Sequence, residues 1–305
     1  KSTLGGWFAK VSVSALVFDY ILTGPISSVS GGHYLAGLLN DTFKMFGIGI
    51  QFDRNILSMA VAIVIVLFFW WENVKGIEES SSKALKIFII TAVMGAMVII
   101  WGVVTLLLKN EPFFAHFPPF EINLSHESYG WLSNADWAKT IGLISILIAF
   151  GHSLLALSGL ETLGQVYREV EYPKLKNFKR TALIIFLFSV ILTPGVSFLG
   201  TMLIPDEVRP QYIDNLIGGI AMFLIGPHWL NLVFQAFVVI VGVLILSGAV
   251  NTSIVGANSV LNRVAEDKVL TDWFRKPHKK YGTTYRLLNL IALFQILTII
   301  LSQGN

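Results

Sequence analysis

The sequence predicts an all-α integral membrane protein with seven transmembrane helices. Of its 305 residues, 54% are hydrophobic and only 13% are charged, whereas a soluble domain carries about 25% charge. The apolar residues also occur in long blocks: the segment from Ile87 to Leu108 includes no charged side chain, and about 20 such residues cross a bilayer as a helix. Because the blocks lack the period-two alternation of barrel strands, they favour helices over a closed barrel.

Seven apolar segments are predicted to cross the membrane, and the linkers between them are polar and hold most of the prolines. We expect these segments to form a single transmembrane domain over residues 1–305. Because the chain starts with Lys1 and stops soon after an apolar stretch, we also expect it to be a piece of a longer protein, truncated at both ends. The predicted spans cover, approximately, residues 10–31, 55–72, 86–108, 139–164, 181–204, 229–258 and 285–302.

Positive charge is distributed unevenly between the two sides of the predicted bundle. If the seven spans alternate in direction, 17 of the 22 Lys and Arg residues fall on one side, and the positive-inside rule makes that side cytoplasmic. The loops near residues 73–86, 165–180 and 262–286 are therefore predicted to be cytoplasmic, in a protein of the plasma membrane, and the first span to run outward. A missed or extra span would place some of the positively charged loops on the opposite side of the membrane, so the charge pattern also supports seven spans.

The first span contains a carboxylate that its apolar surroundings do not explain. Asp19 and Thr23 lie four residues apart, which places both side chains on one face of a helix. Gly24 and Pro25 follow, and the proline frees a backbone carbonyl one turn back, so the local backbone can turn toward a cavity. An acid at the bilayer midplane costs about 2.5–3.5 kcal/mol. We interpret this segment as ligands for a cation or an ammonium group; the alternative is that Asp19 hydrogen-bonds a neighbouring helix as packing.

The second and third spans carry no candidate ligands. Trp70 and Trp71 end the second span, as aromatic side chains commonly do at the membrane interface. The third span has no internal charge. If protons are coupled to the activity of this protein, their carrier is therefore not in the third span.

The fourth span contains "IAFGHSLLALSGLETLGQV", in which small and polar residues interrupt an apolar helix. Ser158 and Gly159 predict a break in that helix, which exposes backbone groups that only protein or a cavity can satisfy. Broken helices at the midplane build binding sites in secondary transporters. Glu161 then lies in or beside the break, unless the span ends early and Glu161 reaches cytoplasmic water. His152 is either a proton relay or a packed, hydrogen-bonded histidine.

The sixth span combines small residues, which suit close helix contact, with the uncharged polar residues Asn251, Thr252 and Ser253. Packing is the first interpretation of these polar residues, and direct contact with a ligand is the second. Asn251 is the residue of this group that we keep as a candidate substrate contact. The fifth span is apolar in the same way as the third.

The composition also argues against several classes of site. The chain has no cysteine, so it has neither a disulfide framework nor a thiolate metal site. Its six histidines are scattered without a close pair at ligand spacing, and we therefore predict no metal, no cofactor and no enzymatic activity. The net charge of +3 reflects membrane topology, and no nucleic-acid partner is expected.

Four stretches, in this order, resemble the amino acid–polyamine–organocation (APC) superfamily of secondary transporters. "FDYILTGPISSVSGG" is similar to the third span of that superfamily, and "NVKGIEESSS" to the segment before its fifth span. "AFGHSLLALSGLETLGQVYREVEYPKLKNFKRTA" is similar to its broken sixth span, and "NTSIVGANSVLNRVAEDKVLTDWFRKPHKKYGTTYR" to its eighth span with the following loop. The resemblance covers nearly the whole chain. Two departures, at Thr271 and in "YGTTY", fall in a predicted cytoplasmic loop.

The resemblance implies that the seven spans are the third to ninth spans of a LeuT-type core, which has two inverted five-helix repeats that each begin with a broken helix. The span over residues 139–164 would open the second repeat. The first two spans and the tenth would be missing, and with them the other broken helix, so this fragment would hold about half of the substrate site.

The function that the resemblance implies is secondary active transport of amino acids or related organic amines by alternating access, with protons as the coupling ion. The partners would be a small-molecule substrate, the proton and the lipid bilayer. The candidates for proton coupling are Glu161, Asp19 and His152. The candidates for substrate binding are Asp19, Thr23, Ser158, Gly159, Glu161 and Asn251.

Two alternatives remain open. A potassium/proton symporter of the KUP-like branch resembles the same pattern, and two acids and two hydroxyls suit a bare cation because hard ions take oxygen ligands. An amino acid also needs groups for its carboxylate, usually helix N-termini and backbone amides, which the missing first span would supply. From another class, the chain would be a membrane sensor that has a transporter fold but does not transport.

Overall fold

The computed structural model describes residues 5–76, 81–109, 146–148, 150–151 and 170–304. Across these ranges the regular structure is helical and no strand occurs, which confirms an all-α fold. The helices are α1 (Gly5–Met45), α2 (Arg54–Lys75), α3 (Ser81–Leu108), α4 (Lys174–Leu203), α5 (Leu216–Met222), α6 (His228–Glu266) and α7 (Tyr285–Leu301), with a 3₁₀ helix at Arg209–Asn215.

Five of the described helices, α1 to α4 and α6, are long and apolar enough to cross a membrane. Helix α7 has 17 residues, at the lower end of the ~17–25 residues that a span needs. Large apolar side chains such as Val64, Phe68, Ile100 and Leu107 are exposed on these helices, which lipid tolerates and water does not. The chain is therefore a helical membrane protein, and its total of seven spans stays a prediction.

Two helices extend well beyond the predicted spans. Helix α1 continues to Met45 instead of ending near residue 31, and α6 continues to Glu266 instead of ending near residue 258. Hydropathy marks where the apolar surroundings of a helix end, and a helix can continue past that point. The predicted span over residues 139–164 lies mostly outside the described residues; residues 146–148 and 150–151 within it are helical.

The chain forms two compact units, one of residues 1–110 with 192–305 and one of residues 111–191. In the second unit, Asn177 shapes the start of α4. Its backbone N–H donates to the carbonyl oxygen of Pro173 (3.1 Å), and its side-chain Nδ2 donates to that of Glu171 (3.0 Å). The first unit contains most of the described helices and the contacts that bear on the candidate site.

Within the first unit, α1 and α6 pack as an antiparallel pair. The ring of Tyr20 lies against Gly256, and that of Tyr34 lies against Gly242. A Cβ atom on Gly256 would come within 2.7 Å of Cζ of Tyr20, so glycine is required for the two helices to approach this closely. The contact buries Tyr20 to 3% exposure and fixes the side of α1 that faces α6.

Helix α7 runs parallel to α1. Gly24 of α1 faces Gln295 of α7, and further along both helices His33 Nε2 donates to the carbonyl oxygen of Gly304 (2.8 Å). These directions agree with the predicted alternation, in which the first and seventh spans run the same way. Glutamine and histidine side chains that would be costly in lipid are acceptable here because neighbouring parts of the chain satisfy them.

Helices α3 and α4 also run parallel to each other. Gly95 of α3 faces Leu192 of α4, and Gly102 faces Leu199 two turns later. Because α3 and α4 correspond to the predicted third and fifth spans, this direction too agrees with alternation. Two clusters of buried apolar side chains complete the first unit: one joins α1, α2, α6 and α7, and the other joins α3, α4, α5 and the first half of α6.

Helices α1 and α2 approach each other closely at Gly32. A Cβ atom there would lie 2.6 Å from both the Cα and the carbonyl oxygen of Ser58. Ser58 is itself buried, and its hydroxyl donates to the carbonyl oxygen of Val29 (2.9 Å). This contact sets the height of α1 relative to α2, and with it the height of every side chain on α1.

Replacing Gly32 by alanine is expected to destabilise this contact, because the new Cβ would meet backbone atoms of Ser58, which cannot swing away as a side-chain tip can. Overpacking of this kind costs about 1–3 kcal/mol. The matched control is Gly248→Ala on α6, where a Cβ would meet nothing within 4 Å. Thermal unfolding in detergent should give a lower midpoint for Gly32→Ala than for Gly248→Ala, and equal midpoints would contradict the close approach.

Candidate functional site

The acid-bearing segment of α1 stays helical through Pro25, so the proline does not break the helix. Asp19 and Thr23 are half-buried, and Tyr20 between them is buried. Because Pro25 has no N–H, the carbonyl of Ile21 lacks its usual helical donor. One turn of α1 therefore carries a carboxylate, a hydroxyl and a carbonyl oxygen, a set of oxygen atoms that suits a cation or an ammonium group.

A buried carboxamide from α7 meets this segment of α1. Gln295 is 0% exposed, and its Nε2 donates to Ser253 Oγ on α6 (3.0 Å) and to the carbonyl oxygen of Tyr20 on α1 (3.4 Å). Its side chain fills the space beside Gly24, where a Cβ atom would collide with it. Among the described residues, Gln295 Oε1 has no hydrogen-bond partner. Three helices are thus joined by one polar contact, which we call the Gln295 node.

Two polar residues of α6 face different neighbours. Ser253 Oγ accepts from Gln295 and donates to the carbonyl oxygen of Val250 (2.7 Å). Asn251 Oδ1 accepts from Asn73 Nδ2 on α2 (2.7 Å). The structure thus brings Ser253 to the acid-bearing segment of α1, and it gives Asn251 a contact of the packing type. A role of Asn251 in substrate binding stays a prediction.

Four predicted site residues lie outside the described residues, so their place in the site stays a prediction. They are His152, Ser158, Gly159 and Glu161. Asp19 and Thr23 are the two predicted ligands that the structure presents together, on one face of α1. In the described part of the chain, no three His, Asp or Glu side chains come together as a metal site would require.

A second polar cluster lies near the C-terminal end of α1, and we call it the Asp41 cluster. Gln235 of α6 is 0% exposed and donates through Nε2 to Asp41 Oδ2 (2.5 Å). Tyr212 of the 3₁₀ helix hydrogen-bonds Asp41 as well, and burial together with the Asp41 charge raises the pKa of Tyr212 to about 12. Arg54 of α2, which donates to the carbonyl oxygen of Gln211, opposes that rise. The cluster ties the linker before α5 to α1, α2 and α6.

Sequence reasoning did not single out Gln295, Gln235, Asp41 or Tyr212. A signal existed for the two glutamines: each is a lone amide in an apolar stretch, "ALFQILT" and "LVFQAFVV". A polar group inside a membrane protein is costly unless it is satisfied, so each lone amide predicts a partner on another helix. No comparable signal marks Asp41 or Tyr212, because their pairing joins two distant parts of the chain.

Comparison with protein families gives a match over residues 1–305 to the model described as amino acid permease. The match covers every described helix as well as the ranges that the structure does not describe. A comparison with curated proteins gives no match.

Gln295→Glu is expected to destabilise the protein at neutral pH. A carboxylate cannot donate to the carbonyl oxygen of Tyr20, and an unpaired buried charge costs several kcal/mol. The matched control is Gln303→Glu, the same change at an exposed position just after α7. Thermal unfolding in detergent should show a lower midpoint for Gln295→Glu alone, restored at lower pH as the carboxylate takes up a proton. A Gln295→Glu protein as stable as the control would contradict the Gln295 node.

Asp41→Asn is expected to lower the pKa of Tyr212 from about 12 toward its ordinary value, while burial, the larger cause of the rise, persists. Because an unfolded tyrosine has a pKa of about 10, the folded chain holds this proton more tightly. The contribution of Tyr212 to stability is therefore full below pH ~10 and is lost as the pH rises toward ~12. Ultraviolet absorbance of the phenolate, with Tyr212→Phe as the blank, measures the titration; an unchanged pKa in Asp41→Asn would contradict the contact.

Proposed function

The chain belongs to the amino acid permease family of the APC superfamily, and from this premise we propose that it is a secondary transporter that works by alternating access and is driven by protons. Membership of the family makes it a membrane transporter of amino acids or related substrates, and points away from an enzyme. The transport cycle, the coupling ion and the exact substrate are the proposed part. We place the protein in the plasma membrane.

The observation that carries the proposal is the acid of α1. Asp19 is half-buried in a helix that is long and apolar enough to cross a membrane, although an acid at mid-bilayer costs about 2.5–3.5 kcal/mol. An acid kept at such a cost is by default a functional residue. We assign Asp19 and Thr23 to the amino group of an amino acid or an organic amine, because a carboxylate and a hydroxyl one turn apart accept hydrogen bonds from an ammonium group.

The rest of the site is assigned to the fourth and sixth spans. Ser158 and Gly159 would expose backbone groups at a helix break, which can bind the substrate carboxylate. Glu161 would add a second acid, and Asn251 a further polar contact. For proton coupling we propose Glu161, Asp19 and His152, since these are the titratable side chains of the predicted site.

The same proposal includes an orientation in the membrane. We propose that the loops near residues 73–86, 165–180 and 262–286 face the cytoplasm, because they carry most of the positive charge. The parallel course of α1 and α7, and that of α3 and α4, supports the alternation of the spans, because each pair would cross in the same direction; the side itself is proposed from the charge alone.

Uptake by proteoliposomes that contain the complete protein tests the proposal. We expect saturable uptake of at least one radiolabelled amino acid from a panel, stimulated by an inward proton gradient and reduced when an ionophore collapses the gradient. Asp19→Asn is expected to lower this uptake about tenfold, the effect of losing ~1.4 kcal/mol of binding. The matched control is Asp214→Asn, the same change at an exposed position outside the described spans, and it should leave uptake unchanged.

The outcomes separate the alternatives. Saturable rubidium uptake without amino acid flux would replace the proposal by a KUP-like potassium/proton symporter, since two acids and two hydroxyls also suit a bare cation. Binding of an amino acid without any flux would indicate a sensor. Amino acid uptake that Asp19→Asn does not change would remove Asp19 from the site and leave the transport function in place.

A further inference from the structure

The linker between α6 and α7, residues 267–284, presents positive charge on the surface. It contains five basic and two acidic side chains, and all seven are exposed. Arg275 forms an ion pair with Glu266 (3.3 Å), but within the described part of the chain no acidic side chain pairs with Lys276 or Lys279. We call this segment the basic linker. Its basic residues are Lys268, Arg275, Lys276, Lys279 and Lys280.

Hydrogen bonds hold the second half of the basic linker in one shape. His278 Nδ1 accepts from the backbone N–H groups of Lys280 (3.1 Å) and Tyr281 (3.3 Å), and its ring stacks on that of Tyr281 with centroids 5.0 Å apart. Thr283 Oγ1 donates to the carbonyl oxygen of Val74 at the end of α2 (2.7 Å). The adjoining lysines therefore extend from a fixed turn, so an anion that binds them costs little ordering entropy.

Two apolar side chains stand beside these charges. Val269 is 70% exposed and Trp273 is 53% exposed. Arg286, in the first turn of α7, lies over the ring of Trp273 (4.0 Å from the guanidinium carbon to the ring centroid) and donates through Nη1 to its carbonyl oxygen (2.7 Å). Trp273 is thus tied to the start of an apolar helix, the level at which bilayer headgroups lie and tryptophan is enriched.

We propose that the basic linker binds anionic phospholipid headgroups of the leaflet at which α6 ends and α7 begins. Phosphate groups match the charge of the lysines, and each Lys or Arg close to an anionic surface strengthens attraction about fivefold. The apolar edge of the bilayer accepts Val269 and Trp273. An acidic protein segment matches the charge, but it offers no apolar phase at the level of the membrane. This proposal does not depend on the transport function.

Energy transfer in nanodiscs that hold the complete protein measures the contact. This sequence has no cysteine, so once any cysteine elsewhere in the complete protein is replaced by serine, Thr271→Cys, at an exposed position of the basic linker, provides the attachment point for a donor dye. The discs contain about 20 mol% phosphatidylglycerol in phosphatidylcholine, with a trace of either lipid carrying an acceptor. Transfer to the phosphatidylglycerol probe should exceed transfer to the phosphatidylcholine probe about threefold, and the preference should shrink between about 0.05 M and about 0.5 M sodium chloride.

Two matched double variants test the residues. Lys276→Gln with Lys279→Gln is expected to remove the preference, while Lys44→Gln with Lys109→Gln, which removes the same charge from two exposed lysines elsewhere, should keep it. Both should unfold at the temperature of the parent protein, which separates lost binding from lost folding.

Three results would overturn the proposal. The first is equal transfer to both probes in the parent protein, the outcome expected if an acidic protein is the partner. The second is the same loss of preference in both double variants. The third is a loss of the preference for the phosphatidylglycerol probe when inorganic phosphate replaces chloride at equal ionic strength, because that result would assign the basic linker to soluble phosphate.

Discussion

Helix α1 can carry polar side chains through a membrane protein because three other helices lie close enough to satisfy them. Tyr20 packs on Gly256 of α6, Gly24 leaves room for Gln295 of α7, and Gly32 lies on the backbone of α2. A side chain at Gly32 would meet backbone atoms of α2 and push the two helices apart, whereas one at Gly24 or Gly256 would displace the side chain of Gln295 or Tyr20. Hydrogen bonds weaken steeply beyond their ordinary length, so the polar contacts between the helices depend on these close approaches.

Two buried amide side chains form hydrogen bonds between these closely packed helices, at two different levels along α1. Gln295 joins α7 to α1 and α6, and Gln235 joins α6 to Asp41 near the end of α1. An amide without a partner is costly inside a membrane protein, so each contact restricts the rotation of a helix about its axis as well as its distance from α1. The direction of the face that bears Asp19 and Thr23 follows from these restrictions.

A transporter that works by alternating access needs parts of its site that hold their position while others move. Helix α1 is tied to its neighbours at two heights, at the Gln295 node and at the Asp41 cluster, and the acid-bearing turn lies at the first of them. Because α1 is held in this way, the candidate ligands Asp19 and Thr23 stand on a helix that keeps its position. A helix also holds side chains more precisely than a loop does.

The sequence by itself determined the helical membrane class and the approximate position of α1 to α4, α6 and α7, because both depend on local composition. The short helix α5 lies between two predicted spans and was not predicted. An uncharged block such as Ile87–Leu108, which lacks the alternation of barrel strands, can cross a membrane only as a helix. Local periodicity also placed Asp19 and Thr23 on one face of a helix. Within the described ranges, the family match and the helix directions agree with the resemblance carried by the sequence motifs.

Only the tertiary structure decided which polar residues meet. Ser253 and Asn251 stand two positions apart with similar chemistry, yet one faces α1 and α7 and the other faces α2. Hydropathy predicted that α1 ends near residue 31, but the helix continues to Met45. Asp41 lies in this continuation, and Gln235 of α6 donates a hydrogen bond to it. The physical reason is that composition and periodicity are properties of neighbours in the chain, whereas the cost of a polar group in a membrane is settled by neighbours in space.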